Sequence, residues 1–245
     1  MRIAVVSDIH GNLGALSAVM DDIAKQGVDR TMNLGDILSG PLCPTETADL
    51  LMTREVVTIR GNHERQLLTM PIDSMGASDR FARERLSNTH LDWLRSLPAE
   101  IKLDGNILLT HGAPGDDLQY LLETVDTTGI RVATEKEIAS RLNASRHSLI
   151  LCGHSHVPRC VQLPDGRLVV NPGSIGLQAY DDVNPFPHVI QTGSPEARYA
   201  IIERVGNQWS VELRKVAYDN SAAADLALRN GRADWATALR TGQLR

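Results

Sequence analysis

An α/β fold is what this sequence predicts: one domain over residues 1–245, built on two β-sheets. Three observations predict it. Short β-branched runs alternate with helically spaced segments as far as Ile59, the pattern of a mainly parallel sheet covered by helices. Beyond Ile101 the turn signals multiply and apolar runs flank them, the pattern of hairpins. No repeat, low-complexity tract or linker composition divides the two halves.

The elements follow in order. Ile3–Val6 is a strand that stops at Ser7-Asp8. Leu13, Leu16, Val19, Met20 and Ile23 have helical spacing, and Gly27 closes that helix. Thr31–Leu34 and Glu55–Ile59 are strands, with a helix over Thr45–Met52 that Pro44 can start. Glu64 to Leu97 reads as helical, interrupted near Pro71–Gly76. Ile101–Leu103 and Ile107–Thr110 flank Asp104-Gly105, a strong hairpin signal. Gly115–Gly129 reads as loop, Thr134–Leu142 as helix and Leu149–Cys152 as a buried strand. Hairpins are expected around Pro164-Asp165-Gly166 and Gly206-Asn207. Tyr180–Pro195 reads as one long loop, and two helices close the chain over Asn220–Arg229 and Ala233–Arg240.

Composition excludes several functions. At 42% apolar and 22% charged residues the chain is globular and not disordered. Its net charge of −5 argues against broad binding to nucleic acid or anionic membranes, which requires a basic surface. Two Phe, four Tyr and three Trp are too few for a base-stacking platform. Cys43, Cys152 and Cys160, without CxxC spacing, exclude a disulfide framework and a thiolate zinc cage. The N-terminal apolar run is too short for a signal segment or a membrane span, so a cytoplasmic protein is expected, with homo-oligomerisation open.

The chemistry sits at strand ends: Asp8-Ile9-His10, Gly35-Asp36, Gly61-Asn62-His63-Glu64, Thr110-His111-Gly112 and Gly153-His154-Ser155-His156. Ligands of open α/β sheets bind outside the carboxyl ends of strands, so these segments are candidates to meet at one edge. Together they bring carboxylates, an amide oxygen and imidazoles. That mixed set without sulfur suits manganese, iron, nickel, cobalt or zinc. It is too large for one ion, and paired divalent ions ~3.5–4 Å apart are a standard arrangement for phosphate-ester hydrolysis. If extended, Asp8/His10 and His154/His156 would each aim two side chains at one place. Two divalent cations would outweigh the two carboxylates and leave a local positive well for phosphate.

The ordered series D-x-H, G-D, G-N-H-E, H and G-H-x-H, from residue 8 to 156, resembles the calcineurin-like metallophosphoesterase superfamily, in particular its small bacterial phosphodiesterase-type members. Asn171-Pro172-Gly173-Ser174, Ala197-Arg198-Tyr199 and the Ala-rich tail are similar in style, so the resemblance covers nearly the whole chain. It implies a four-layer αββα sandwich, two mixed β-sheets flanked by helices. It implies that Asp8, His10 and His156 hold one metal ion, that Asn62, His111 and His154 hold a second, and that Asp36 bridges them. It leaves His63 free to contact phosphate and to stabilise the transition state or protonate the leaving oxygen. Glu64 stands where the family often has Asp and is not expected to be catalytic. Manganese is the first choice of metal. The implied substrate is a small phosphate ester: a nucleotide-type phosphodiester or a dinucleoside polyphosphate.

Blander readings compete. Asn12 could touch substrate or cap a helix, and Arg60 and Arg65 could touch phosphate or lie on the surface. His90, His147 and His188 lack motif partners and read as surface or loop histidines; Asp21-Asp22, Asp116-Asp117 and Asp181-Asp182 read as solvated or capping carboxylates. A serine/threonine protein phosphatase would share Arg60-Gly61-Asn62-His63-Glu64, but Gly35-Asp36-Ile37-Leu38 lacks that branch's longer continuation. A non-catalytic metal-binding scaffold of the same fold would have lost a ligand or the histidine at 63, and this chain retains them all.

Overall fold

In the computed structural model, residues 1–103, 106–143 and 145–245 are described. The first sheet contains Arg2–Val6 (β1), Arg30–Asn33 (β2) and Val56–Thr58 (β3), all parallel. The long hairpin Ala197–Val205 (β13) and Gln208–Val216 (β14) joins it antiparallel to β1, giving the order β14-β13-β1-β2-β3. The second sheet has Ile107–Leu109 (β5), Leu149–Leu151 (β8) and Leu168–Asn171 (β10) in parallel. Antiparallel Ile101–Leu103 (β4) and Arg159–Gln162 (β9) form its edges, in the order β4-β5-β8-β10-β9. The expected turn at Asp104-Gly105 lies outside the described residues.

Side-chain alternation makes the layers. Ile3 and Val5 face Ile107, Leu109, Leu149, Leu151 and Val170 across an apolar layer between the sheets. Ala4 and Val6, on the opposite face of β1, pack against Leu13–Ile23 (α1), Pro44–Met52 (α2), Asn62–Thr69 (α3) and Asn88–Ser96 (α5). Leu108, Ile150 and Val169 cover themselves with Glu135–Arg141 (α6). This is the two-sheet αββα arrangement. A further apolar cluster seats Asn220–Arg229 (α7) and Ala233–Thr241 (α8) against Leu42, Leu177 and Ala179.

Two segments read as loop contain strands. Glu123–Asp126 (β6) pairs with Gly129–Val132 (β7), and Ala179–Asp182 (β11) pairs with His188–Gln191 (β12). Both hairpins are short and half-exposed, with strands of four residues each. Their periodicity is therefore too brief to register. No described helix is long and apolar enough to cross a membrane.

Candidate metal centre

The five motif segments meet where β1, β2, β5 and β8 end and at the first turn of α3. Asp8, His10 and His156 form one group of donor atoms, all within 4.8 Å of one another; Asp36, His111 and His154 form a second. Asn62 adjoins the second, with Oδ1 3.0 Å from His111 Nε2. His154 and His156 thus fall in different groups and do not aim at one place. The backbone there is unusual: Asp8, His10, Asp36, His154 and His156 all have positive φ, between 52° and 67°. Non-glycine residues there cost ~1–3 kcal/mol each and persist only where surrounding structure holds them. The turn at His154-Ser155-His156 splays its two rings, whereas Asp8 and His10, also at positive φ, fall in one group.

Close approach explains the glycines beside Asp36. A Cβ on Gly61 would run into the Asp36 carboxylate, and one on Gly35, at φ +96°, into the Gly61 backbone. Glu64 holds this crossing together. Its buried carboxylate accepts from Asp36 N and Ile37 N, both at 2.8 Å, and from Gly61 N at 2.9 Å. It positions Asp36 without facing the cavity. Glu64→Gln replaces one of those acceptors with a donor aimed at an amide. We expect a loss of ~1–3 kcal/mol, read as a lower urea midpoint.

Each imidazole of the two donor groups is oriented by a backbone carbonyl. His10 Nδ1 donates to Ser39 O at 2.7 Å, His156 Nδ1 to Leu177 O at 2.8 Å, and His111 Nδ1 to Leu34 O at 2.7 Å. His154 Nε2 donates to Leu118 O at 3.1 Å. The remaining nitrogen of each ring is turned toward the cluster. Burial, aided by neighbouring imidazoles, pushes His10 down to about 4, His154 to about 3 and His156 well below the usual range. Neutral rings are what metals bind. The Nε2 lone pairs of His10 and His156 then face each other at 3.1 Å, with Asp8 Oδ1 3.5 Å away. Asp8 Oδ2 is buried without a partner. Such a set of acceptors, short of donors, fits a cation.

The carboxylates differ. Burial and the charge of Asp36 raise Asp8 to about 7, against the pull of His111. Burial also acts on Asp36, but His111 and His63 outweigh it and hold that carboxyl well below its usual range. Asp36 Oδ1 accepts from His63 N at 3.0 Å, and Oδ2 lies 3.1 Å from His111 Nε2. For His111, burial is overcome by Asp36, which lifts it to about 9.

His63 projects into the cavity. Its Nδ1 donates to Asp79 Oδ1 at 2.8 Å, and its Nε2 lies 4.0 Å from Asp36 Oδ2. Burial alone would lower its pKa, yet Asp36 and Asp79 together raise it to about 10. Asp79, buried on Ala77–Arg83 (α4), was not among the sequence candidates, because nothing local marks it.

Three candidate substrate contacts are not brought to the cavity. Asn12 caps α1, accepting from Ala15 N and donating to Gly176 O and Tyr218 Oη. Arg65 forks onto Asp117 with two bonds of 2.7 Å, and Arg60 does not line the cavity. His188 and His90 are buried, unlike the surface histidines expected: His188 meets Tyr120 Oη at 3.0 Å and His90 meets Asp49 at 2.9 Å. Asp182 lines the cavity while also capping the Asn184 turn.

Two of the four tyrosines flank the G-H-S-H loop. The Tyr120 ring lies 4.8 Å from that of His154, and the Tyr180 ring 4.7 Å from that of His156. Their hydroxyls are 2.7 Å apart, and Tyr180 Oη is 3.2 Å from His154 O. The scarcity of aromatics was the available signal.

Residues 1–190 match the family model of the calcineurin-like phosphoesterase superfamily domain. The chain belongs to the calcineurin-like phosphoesterase superfamily. It is thus a phosphoric ester hydrolase of a metal-dependent family. The uncharacterized protein MJ0912 of Methanocaldococcus jannaschii is 28% identical over 95% of this chain and 94% of its own. Phosphodiesterase YfcE of Escherichia coli K12 is 31% identical over 46% of this chain and 68% of its own. The crystal structure of a metallophosphoesterase from Sphaerobacter thermophilus superposes with a TM-score of 0.75 at 26% identity, covering 99% of this chain and 100% of that one.

Proposed function

We propose that this phosphoesterase is a dinuclear-metal phosphodiesterase acting on a small nucleotide-type phosphodiester or dinucleoside polyphosphate. The likeness to phosphodiesterase YfcE supports the diester. The opposed lone pairs of His10 and His156 beside the unpartnered Asp8 Oδ2 carry the metal assignment. Asp8, His10 and His156 hold one ion, Asn62, His111 and His154 the other, and Asp36 both. When bound, such ions neutralise phosphoryl charge and lower the pKa of water toward ~7, with manganese first among the candidates.

The chain's own groups do the rest. Asp79 fixes the His63 ring with its proton on Nδ1, so the protonated Nε2 faces the cavity. From there it donates to the leaving oxygen as the ester bond breaks. Chelation followed by Mn²⁺ addition, with bis-p-nitrophenyl phosphate as substrate, tests the reading. Two ions per chain and restored turnover are expected; binding of a single ion, or of two without turnover, contradicts it.

Tyr180 holds the strained loop that carries both histidines. Tyr180→Phe keeps the ring against His156 but loses the hydroxyl bonds to Tyr120 and His154 O. Partners of metal ligands are worth ~10–100-fold in affinity, so we expect metal affinity to fall about tenfold by calorimetry.

A further inference from the structure

The cavity extends well beyond the proposed ligands. It measures about 830 Å³, in the range of pockets that enclose whole organic ligands. Its outer wall is built from β6, the end of β11 and the start of α8, and the charges there are unevenly distributed.

The cations on that wall are already engaged. Arg232 pairs with Asp234 at 2.6 Å and donates to Ser78 Oγ at 2.7 Å. Arg141 donates to the carbonyls of Leu121 and Glu123 and to Thr124 Oγ1. No lysine lines the cavity among the described residues. Asp116, Glu123, Asp181 and Asp182 also line it. Glu123 is neutralised by Arg159, 3.0 Å from its Oε1. Asp116 and Asp182 cap turns through Oδ1. Outside the metal centre, three carboxylates therefore stand against the single guanidinium of Arg141.

Two residues that line the cavity have a buried polar atom without a partner: Ser39, beside His10, through Oγ, and Glu123, on the outer wall, through Oε2. A hydroxyl and a carboxylate oxygen left this way suit a ligand rich in hydroxyl or ammonium donors. A second phosphate would find one guanidinium, that of Arg141, whose donors already serve Leu121 O, Glu123 O and Thr124 Oγ1, and would face three carboxylates of like charge.

Resting on the phosphodiesterase reading and narrowing it to its single-phosphate branch, without the dinucleoside polyphosphates, we propose that the substrate is a diester of a single phosphate whose alcohol is uncharged or cationic, a polyol or amino-alcohol ester. Asp181 and Asp182 select against polyphosphates. Hydrolysis forms one P–O bond from water and breaks the P–O bond to the alcohol, which departs with a proton.

The test compares kcat/KM for p-nitrophenyl phosphorylcholine and diadenosine tetraphosphate at fixed free Mn²⁺, with bis-p-nitrophenyl phosphate as reference. The choline ester is expected to exceed the tetraphosphate by about tenfold or more, through the like-charge penalty. Combining Asp181→Asn with Asp182→Asn, on the half-exposed hairpin, should shrink that ratio about threefold or more as two charges disappear. A tetraphosphate hydrolysed faster than the choline ester overturns the proposal, as does a ratio unmoved in the double variant. A loss confined to the tetraphosphate in Arg141→Gln would identify a second phosphate site and also overturn it. If bis-p-nitrophenyl phosphate too is untouched, the phosphodiesterase reading itself has failed.

Discussion

His63→Ala is expected to lower kcat toward diesters by ~10²–10⁴-fold while the protein still binds two metal ions. The imidazole faces the cavity and bonds to Asp79, yet it belongs to neither group of metal-ligand candidates. Its removal therefore takes away a proton donor and leaves the metal donors in place. Metal content by mass spectrometry and turnover of bis-p-nitrophenyl phosphate separate the two effects. Wild-type turnover in this variant would remove the role assigned to His63. Asp79→Asn should act in the same direction but more weakly. Asp36 and Asp79 are what lift His63 to about 10, against burial. The raised pKa keeps the proton on the ring at neutral pH, and activity is lost as pH rises through it. Removing the Asp79 charge lowers that pKa, so the alkaline limb of the kcat profile moves to lower pH. A cation on Asp36 moves the limb the same way in both proteins and leaves the difference between them.

Asp36→Asn is expected to reduce metal content below two ions per chain and to abolish most turnover. The carboxylate is buried, receives His63 N through one oxygen and faces His111 through the other. In the proposed centre it serves both ions. Outer partners alone are worth ~10–100-fold in metal affinity, and the shared ligand should be worth more. Asparagine preserves size, so the fold should survive, and unchanged circular dichroism beside lost metal would show it. Two tightly held ions in Asp36→Asn would contradict the shared role.

Much of this site was legible from the chain because its information is local. Strand-to-helix alternation gives β1, α1, β2 and α2, and hydrophobic runs give the buried strands Leu149–Leu151 and Leu168–Asn171. The motif residues stand at the ends of such runs; parallel order brings those of each sheet to one edge, and packing of the two sheets brings the two edges together. The family resemblance then assigned side chains to two ions; in the structure Asp8, His10 and His156 lie together, and Asp36, His111 and His154 lie together.

What the chain alone did not determine depends on residues distant in sequence. The i, i+2 rule presumes extended backbone, whereas Asp8, His10, His154 and His156 all adopt positive φ; Asp8 and His10 still share one group, and His154 and His156 do not. Only packing around them decides whether that strain is borne. Asp79, sixteen positions from His63, and Tyr120, sixty from Tyr180, acquire their roles from helix and hairpin placement. Arg65 turned to Asp117 because a loop fifty-two positions away presented a carboxylate. Residue type and local spacing set which chemistry the chain can perform. Long-range packing, which balances backbone strain and burial against the contacts they allow, decided which side chains face the cavity.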